Sequence, residues 1–402
     1  MSTRAASPGA SATPFLPYLE GLRGITAFYV VLFHVRHYLE RDYAPFGPSA
    51  NLLPLRGFFL LYGHYAVSVF IVISGFVLTL PIVLRGAIPG GRRGFFMRRA
   101  RRLFPAYYVA LFATVPLYLI RLSQDGAHTT AGALAVQLLA HATFLHDFSS
   151  RTIYGIDGPM WSVAVEVQIY VGFIFVLLPV LRRWSLWASI AVAFAIGFAP
   201  VVVGSLTHRT PDVLELACFW YLGLFAFGAA AAFIAHGAVE PYATLRTRVP
   251  WKWLAGVGAV LFGCLALRIY DDRYDWPLYP AMDTLLGAVI AAGFIAIAHD
   301  IRSGRRSIVA SCLTWKPFVL LGSFSYSLYL IHEPIVRVVM HAIFAFPPPA
   351  KLAIGFLVLV PAITVLAYVF GRIFETPFVS SARRAADAAV IHAAPHEAAA
   401  VP

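Results

Sequence analysis

Charge is scarce in this chain. Only 12% of its 402 residues are Asp, Glu, Lys or Arg, against about 25% in an ordinary soluble domain, so there is too little charge to cover a water-soluble protein of this size. Cysteine is scarcer still. Cys218, Cys264 and Cys312 fall in or beside apolar stretches, at spacings that fit neither a zinc site nor a disulfide framework. No metal is expected, and the redox compartment stays open. Acid is the rarer sign, with 19 Asp and Glu against 31 Lys and Arg. An excess of base has two readings, a nucleic-acid surface or the inner loops of a membrane protein. Here the basic residues collect in alternate loops between apolar runs, which selects the membrane and leaves no nucleic-acid partner expected. Polar, Pro- and Ala-rich ends lack the apolar content of a core. Residues 1–16 therefore read as a disordered lead and 379–402 as an Ala-rich tail, too short for a second catalytic domain. No small-residue cleavage site follows an apolar core near the amino terminus, and Glu20 and Arg23 interrupt it, so the first helix reads as a retained anchor.

What the chain has in abundance is apolar length, 60% of it hydrophobic. Ten runs are long enough to approach the ~20 residues that cross a bilayer as a helix: about 22–39, 58–84, 103–121, 161–181, 184–203, 213–235, 252–270, 280–299, 318–344 and 350–374. The fold class is thus all-α, a polytopic integral membrane protein with about ten transmembrane helices in a domain over 17–378. A shorter stretch, 132–144, carries His and Gln and reads as interfacial or re-entrant. With the amino terminus inside, the loop from Arg85 to Arg102 is cytoplasmic and holds seven arginines and no acid. Arg182, Arg183, Arg246, Arg248, Lys252, Arg302, Arg305, Arg306 and Lys316 fall on the same side, and Asp125, Asp147, Asp157, Asp271, Asp272 and Asp275 on the other. That asymmetry puts both termini in the cytoplasm of a cell inner membrane.

Ionisable residues inside apolar spans are costly and are functional candidates by default. Arg23 and His34 stand eleven positions apart on the first helix, close to three turns, so they share a face about 16 Å apart. Glu166, His332 and Glu333 lie in the outer halves of their spans, near the depth of His34. A carboxylate beside a histidine raises its basicity and fixes its tautomer, as a general base acting on a hydroxyl requires, and Glu166 is the leading partner candidate for His34. Asp283, Glu215 and His64, nearer the interface, read as structural. His332 has two readings, functional or structural, because Pro334 frees a backbone carbonyl nearby for local polar contacts. After the Gly90-Gly91 break, Arg98, Arg99, Arg101 and Arg102 enter the third helix. Their forks suit a phosphorylated cytoplasmic ligand, and equally a topology signal or an anionic-lipid contact. Ser74-Gly75 reads as a close helix contact rather than a catalytic serine.

Several ordered motifs together carry a resemblance: Y-L-E-G-L-R-G-I from Tyr18 with His34 following, V-F-I-V-I-S-G-F from Val69, R-R-A-R-R-L-F-P-A-Y from Arg98, W-S-V-A-V-E-V-Q-I-Y from Trp161, S-Y-S-L-Y-L-I-H from Ser325, and F-E-T-P-F at the end of the last span. In these pieces, from Tyr18 to Phe378, the chain resembles the acyltransferase-3 family of membrane-bound O-acyltransferases. The resemblance implies a ten-helix core that passes an acyl group, most simply acetyl, from cytoplasmic acyl-CoA to a hydroxyl of a polysaccharide, lipid-linked sugar or macrolide. It implies His34 as the catalytic histidine, Arg23 as its motif partner, Glu166 as the functional acid, and the arginines Arg98 to Arg102, with Arg99 and Arg102 foremost, at the donor. Trp161, Ser162 and His332 are implied at the substrate. The family's second acid is replaced by Val167, so a role for paired carboxylates there is not expected. No hydrolase-like domain accompanies the core, so transfer is expected to finish in the membrane. An acyl-histidine intermediate and general-base catalysis both fit. The competing function is a transporter or flippase with a path lined by Arg23 and His34.

Overall fold

Within a bilayer every backbone N–H and C=O needs an internal partner, so apolar runs of this length fold as helices. The computed structural model describes residues 16–43, 60, 62–207, 217–269 and 278–378, and among these there is no strand. The lead before Leu16, the tail from 379, and Glu215, Asp271, Asp272 and Asp275 lie outside the described residues. In chain order the helices are α1 (Pro17–Tyr43), α2 (Gly63–Arg85), α3 (Gly91–Gln124), α4 (Ala131–Ala142), α5 (Met160–Arg183), α6 (Leu186–Thr207), α7 (Tyr221–His236), α8 (Tyr242–Arg248), α9 (Trp251–Ile269), α10 (Leu278–Arg302), α11 (Ile308–Leu313), α12 (Lys316–Ser323), α13 (Ser325–Ala342) and α14 (Pro348–Phe378).

Each of the ten expected spans coincides with a described helix or bent pair, but the count of ten is not confirmed. Among the described residues, six helices are long and apolar enough to cross a membrane, or up to eight if the two bent pairs α8–α9 (67°) and α12–α13 (74°) each make one span. The ionisable face of α1 and the 16-residue length of α7 keep both out of that set. Helix α3 is longer than its apolar run. Gly90 and Gly91, both at positive φ, turn the chain, and the helix starts immediately after, so 34 residues form one rod about 51 Å long. Its basic first turns therefore stand beyond a hydrocarbon core of about 30 Å.

Helices in lipid associate by close packing, and small residues permit it. Helices α2 and α7 meet at Gly75 and Gly228, where an added Cβ would lie 2.0 Å from the Phe225 carbonyl oxygen and 2.1 Å from that of Val72. Ser74-Gly75 is thus the close contact expected. Helix α1 meets α12 in the same way through Gly24 and Gly322. At the end of α14, Glu375 Oε2 accepts from the Ser327 backbone N–H (3.1 Å) and hydroxyl (2.7 Å), tying F-E-T-P-F to the start of α13. Two large apolar clusters result, beside a small one around Tyr65, Ala266 and Met282. One centres on Phe76, Phe173, Trp220 and Phe225; the other, around Val31, Tyr107, Leu111 and Leu330, joins α1, α3 and α13. The candidate site lies along the seam between them.

Candidate active site

Helices α1, α3 and α13 carry the site. At their amino-terminal ends Arg23, Arg99 and Arg102 line a narrow cleft with Ser74, Ser162, Glu166, Tyr170, Tyr326 and Tyr329. About 80 Å³ of it is open to the centres of water-sized atoms. Arg23 Nη1 donates to Glu20 Oε1 one turn back, at 2.9 Å. Glu166 Oε1 accepts from the Ser74 hydroxyl (2.7 Å) and the Tyr170 hydroxyl (2.6 Å). Arg99 feels the charges of both Arg102 and Glu166. With Arg23 paired to Glu20, the guanidiniums of Arg99 and Arg102 against the carboxylate of Glu166 still leave the cleft net basic and suited to phosphate. The four arginines do not all line the cleft, however. Positions 99 and 102 share a helix face, whereas Arg98 and Arg101 are exposed, and Arg98 lies over the Gly90–Gly94 turn.

The second feature is a histidine pair. His34 Nδ1 lies 2.9 Å from the Val30 carbonyl oxygen, and His332 Nδ1 lies 3.1 Å from that of Leu328. A ring nitrogen facing a carbonyl must carry a proton, so this bonding pattern assigns the Nδ1–H tautomer to both neutral rings. His332 Nε2 is then a lone-pair acceptor, and it lies 3.1 Å from His34 Nδ1, which divides its proton between Val30 and His332. This leaves His34 Nε2 as the basic nitrogen, without a partner among the described residues. His34 is half-buried and His332 wholly buried.

Glu166 is not the partner of His34. It is committed to Ser74 and Tyr170 in the cleft, while the acid acting electrostatically on His34 is Glu333. Glu333 accepts a short hydrogen bond from the Tyr38 hydroxyl and lies 3.9 Å from Arg337 Nη1. His332 is wholly buried, and its ring meets His34 rather than the cleft. Ser162 lines the cleft and shares a 2.7 Å hydrogen bond with the Tyr329 hydroxyl, while Tyr329 packs against the His332 ring with centroids 5.9 Å apart. Trp161 turns away from the cleft and stacks on His64, centroids 6.0 Å apart. His64 Nε2 lies 2.9 Å from the fully buried Asp283, which also accepts from Ser68 (2.5 Å) and Trp220 (2.8 Å). That network ties α2 to α10, consistent with the structural reading of His64 and Asp283.

Sequence reasoning missed Ser74 as a cleft residue, the tyrosines 170, 326 and 329, and Tyr38. Tyr326 and Tyr329 were visible in S-Y-S-L-Y-L-I-H, six and three residues before His332, and Tyr170 at the end of W-S-V-A-V-E-V-Q-I-Y. It also missed the loop ahead of α5. Burial pushes the Asp157 carboxyl well up, with the charge of Glu333 adding to the effect. The His141 and His146 rings stack at 4.0 Å, and burial lowers them to about 4 and about 3. Burial raises Asp147 to about 6 against the opposing hydrogen bond from Gln168. Among the described residues, no group of three or more His, Cys, Asp or Glu is arranged to hold a metal ion.

Comparison with known proteins gives the family of the chain. The chain is 24% identical over 344 residues to the putative peptidoglycan O-acetyltransferase YrhL of Bacillus subtilis, covering 80% of this chain and 49% of that protein. It is 24% identical over 383 residues to the peptidoglycan O-acetyltransferase OatA of Listeria monocytogenes, covering 90% and 56%. It is 25% identical over 345 residues to the acyltransferase MdmB of Streptomyces mycarofaciens, covering 80% and 79%. The chain thus spans about half the length of the first two relatives. No solved structure matches. Residues 16–372 match the family described as Acyltransferase domain, nearly the whole described chain, and the protein belongs to that family of membrane acyltransferases.

Proposed function

We propose that the protein transfers an acyl group, most simply acetyl, from cytoplasmic acyl-CoA to a hydroxyl of a glycan or secondary metabolite. One observation carries this reading. A histidine whose basic Nε2 has no partner among the described residues is held at the middle of a helix whose start, about 16 Å away along the axis, contributes an arginine to a basic cleft. Such a separation suits a donor with phosphates at one end and a thioester at the other, joined by the long pantetheine arm. The donor phosphates sit against Arg99 and Arg102, with Arg23 adding charge; Glu166 holds Ser74 and Tyr170 at the cleft wall. His34 Nε2 takes the proton of the acceptor hydroxyl, whose oxygen attacks the thioester carbonyl. The imidazolium, facing His332 through Nδ1–H and steadied by Glu333, returns its proton to the departing CoA thiolate. The seven arginines about the start of α3 support a cytoplasmic position for that end.

Sealed vesicles of both orientations, given radiolabelled acetyl-CoA and a panel of hydroxyl acceptors, test this reading. CoA release with formation of a labelled ester is expected only where the arginine-rich face meets the donor. Ester formation in neither orientation, or His34-dependent movement of a solute with no acyl-CoA present, overturns it in favour of a transporter.

A further inference from the structure

Beyond the histidine pair the three helices open into a second cavity. Tyr38 follows His34 by one turn on α1, and Arg337 follows Glu333 by one turn on α13. Arg121, Gln124 and Asp125 end α3, some thirty ångströms from the basic cleft at about 1.5 Å per residue. These residues and His341 line a space of about 270 Å³. Because α1, α3 and α13 pass through both sites in the same chain direction, the order along them is basic cleft, histidine pair, second cavity.

The lining has a definite chemistry. Arg121 and Arg337 are near enough for each to feel the other's charge, and Asp125 is the lining acid. Arg121 lies over the Tyr118 ring at 4.8 Å and Arg337 over the Tyr38 ring at 5.9 Å, so both planar forks are held by aromatic faces. Arg121 Nε and Gln124 Oε1, both shielded from solvent, have no hydrogen-bond partner among the described residues. They stand three residues apart on one helix face, an unmet donor beside an unmet acceptor. A hydroxyl donates and accepts at once, so neighbouring hydroxyls of a sugar satisfy such a pair, and two adjacent guanidiniums favour an anion.

We propose that this cavity binds the acceptor, and that the acceptor is a polyhydroxylated, carbohydrate-like molecule carrying an anionic group close to the hydroxyl that is acylated. The proposal rests on the transferase reading above. The anion is either the carboxylate of an acidic sugar or the phosphate of a glycosyl phosphate, and the hydroxyl reaches His34 past Tyr38 and Glu333.

The test uses the full chain in vesicles with acetyl-CoA and three acceptors: methyl glucoside, methyl glucuronoside and glucose 1-phosphate. Arg121→Gln should raise the KM of the charged acceptor that the parent prefers by about 10- to 100-fold, the range for losing a charge-assisted bond, with donor KM unchanged. Arg121→Lys should recover part of the loss. The neutral glucoside should be poor for the parent and little affected by the variants, and the better of the two charged sugars identifies the anion. A labelling readout needs no turnover: with Cys264 and Cys312 replaced by alanine, a thiol at Phe344→Cys should be shielded from maleimide by the preferred charged sugar. A parent that acylates or is shielded by none of the three overturns the inference, as does an Arg121→Gln KM within twofold of the parent. A variant effect that follows the anionic lipid content of the vesicle and not the acceptor also overturns it, making the cavity a headgroup site. Acyl transfer by the parent to an acceptor outside the panel leaves the transferase reading standing while this inference falls.

Discussion

If His332 serves catalysis only by orienting His34, its loss should matter only while His34 is present. The contact is one neutral hydrogen bond, Nδ1–H of His34 to Nε2 of His332 at 3.1 Å, with Val30 holding the other share of the proton. Such a bond contributes about 0.5–1.5 kcal/mol net, which is roughly 2- to 13-fold in rate if it is felt wholly in the transition state. His332→Ala should therefore slow turnover by about that factor, and by more if the freed ring leaves its productive rotamer. His34→Ala removes the base and should cost at least about 100-fold. In the double variant the His332 factor should vanish, because no imidazole remains to be oriented. Single-turnover rates on folded, membrane-inserted protein measure this, with monodispersity in detergent confirming that all four proteins are intact. If His332→Ala imposes the same factor with and without His34, the orienting role is refuted and His332 acts independently.

Arg99→Lys and Arg102→Lys keep the charge but lose the planar fork, so donor KM should rise severalfold in each; Arg98→Lys and Arg101→Lys, on exposed side chains, should leave it unchanged. His141 and His146 are neutral when folded, with values near 4 and near 3 against an ordinary 6.5. The unfolded chain therefore takes up their protons first. Stability should be full above pH 6.5 and fall progressively as pH drops toward 4, and His146→Phe should flatten that decline in thermal melts across pH 4 to 8. Asp147 has the opposite sign. With its folded value near 6 against 3.8, it costs stability increasingly as pH rises from about 4 to 6, so Asp147→Asn should raise the melting midpoint at pH 7.5 and leave it unchanged near pH 4. Cysteines at Gly91 and Ala127, at opposite ends of the α3 rod, should be labelled by an impermeant maleimide from opposite sides of the membrane; labelling of both from one side would remove the orientation.

The sequence made the ionisable residues legible, but their levels only in part and their direction not at all. Arg23, His34, Glu166 and His332 stood out because an ionisable group in an apolar run is conspicuous whatever surrounds it. The shared level of His34 and His332 followed from the rise per residue, but Glu166, expected near the depth of His34, lies instead in the cleft with Arg23, Arg99 and Arg102. Which of them meet depends on how the helices rotate against one another, and the close approach of α1 to α13 gave His34 to His332, while Glu166 faces Ser74 across the cleft. The arginine run holds more than a count of its charges shows. Spacing of three along a helix separates 99 and 102 from 98 and 101, and that division is legible in the amino-acid order alone. The true start of α3 was hidden because hydropathy sees only the apolar part of a helix whose first turns are basic. The bend before Trp251 is marked by Pro250, which cannot continue a helix, whereas the bend at Phe324 left no clear mark because it falls inside an apolar run.

The central claim is that His34 is the base for acyl transfer. Its most direct test is the rate at which label passes from acetyl-CoA to an acceptor hydroxyl in vesicles bearing the parent or His34→Ala, compared at saturating donor. The rate should fall by at least about 100-fold, as expected for loss of a sole general base, with donor binding nearly unchanged because Arg99 and Arg102 lie in the other part of the site. Transfer by inserted His34→Ala within about threefold of the parent rate, far short of what loss of a sole base costs, would contradict it.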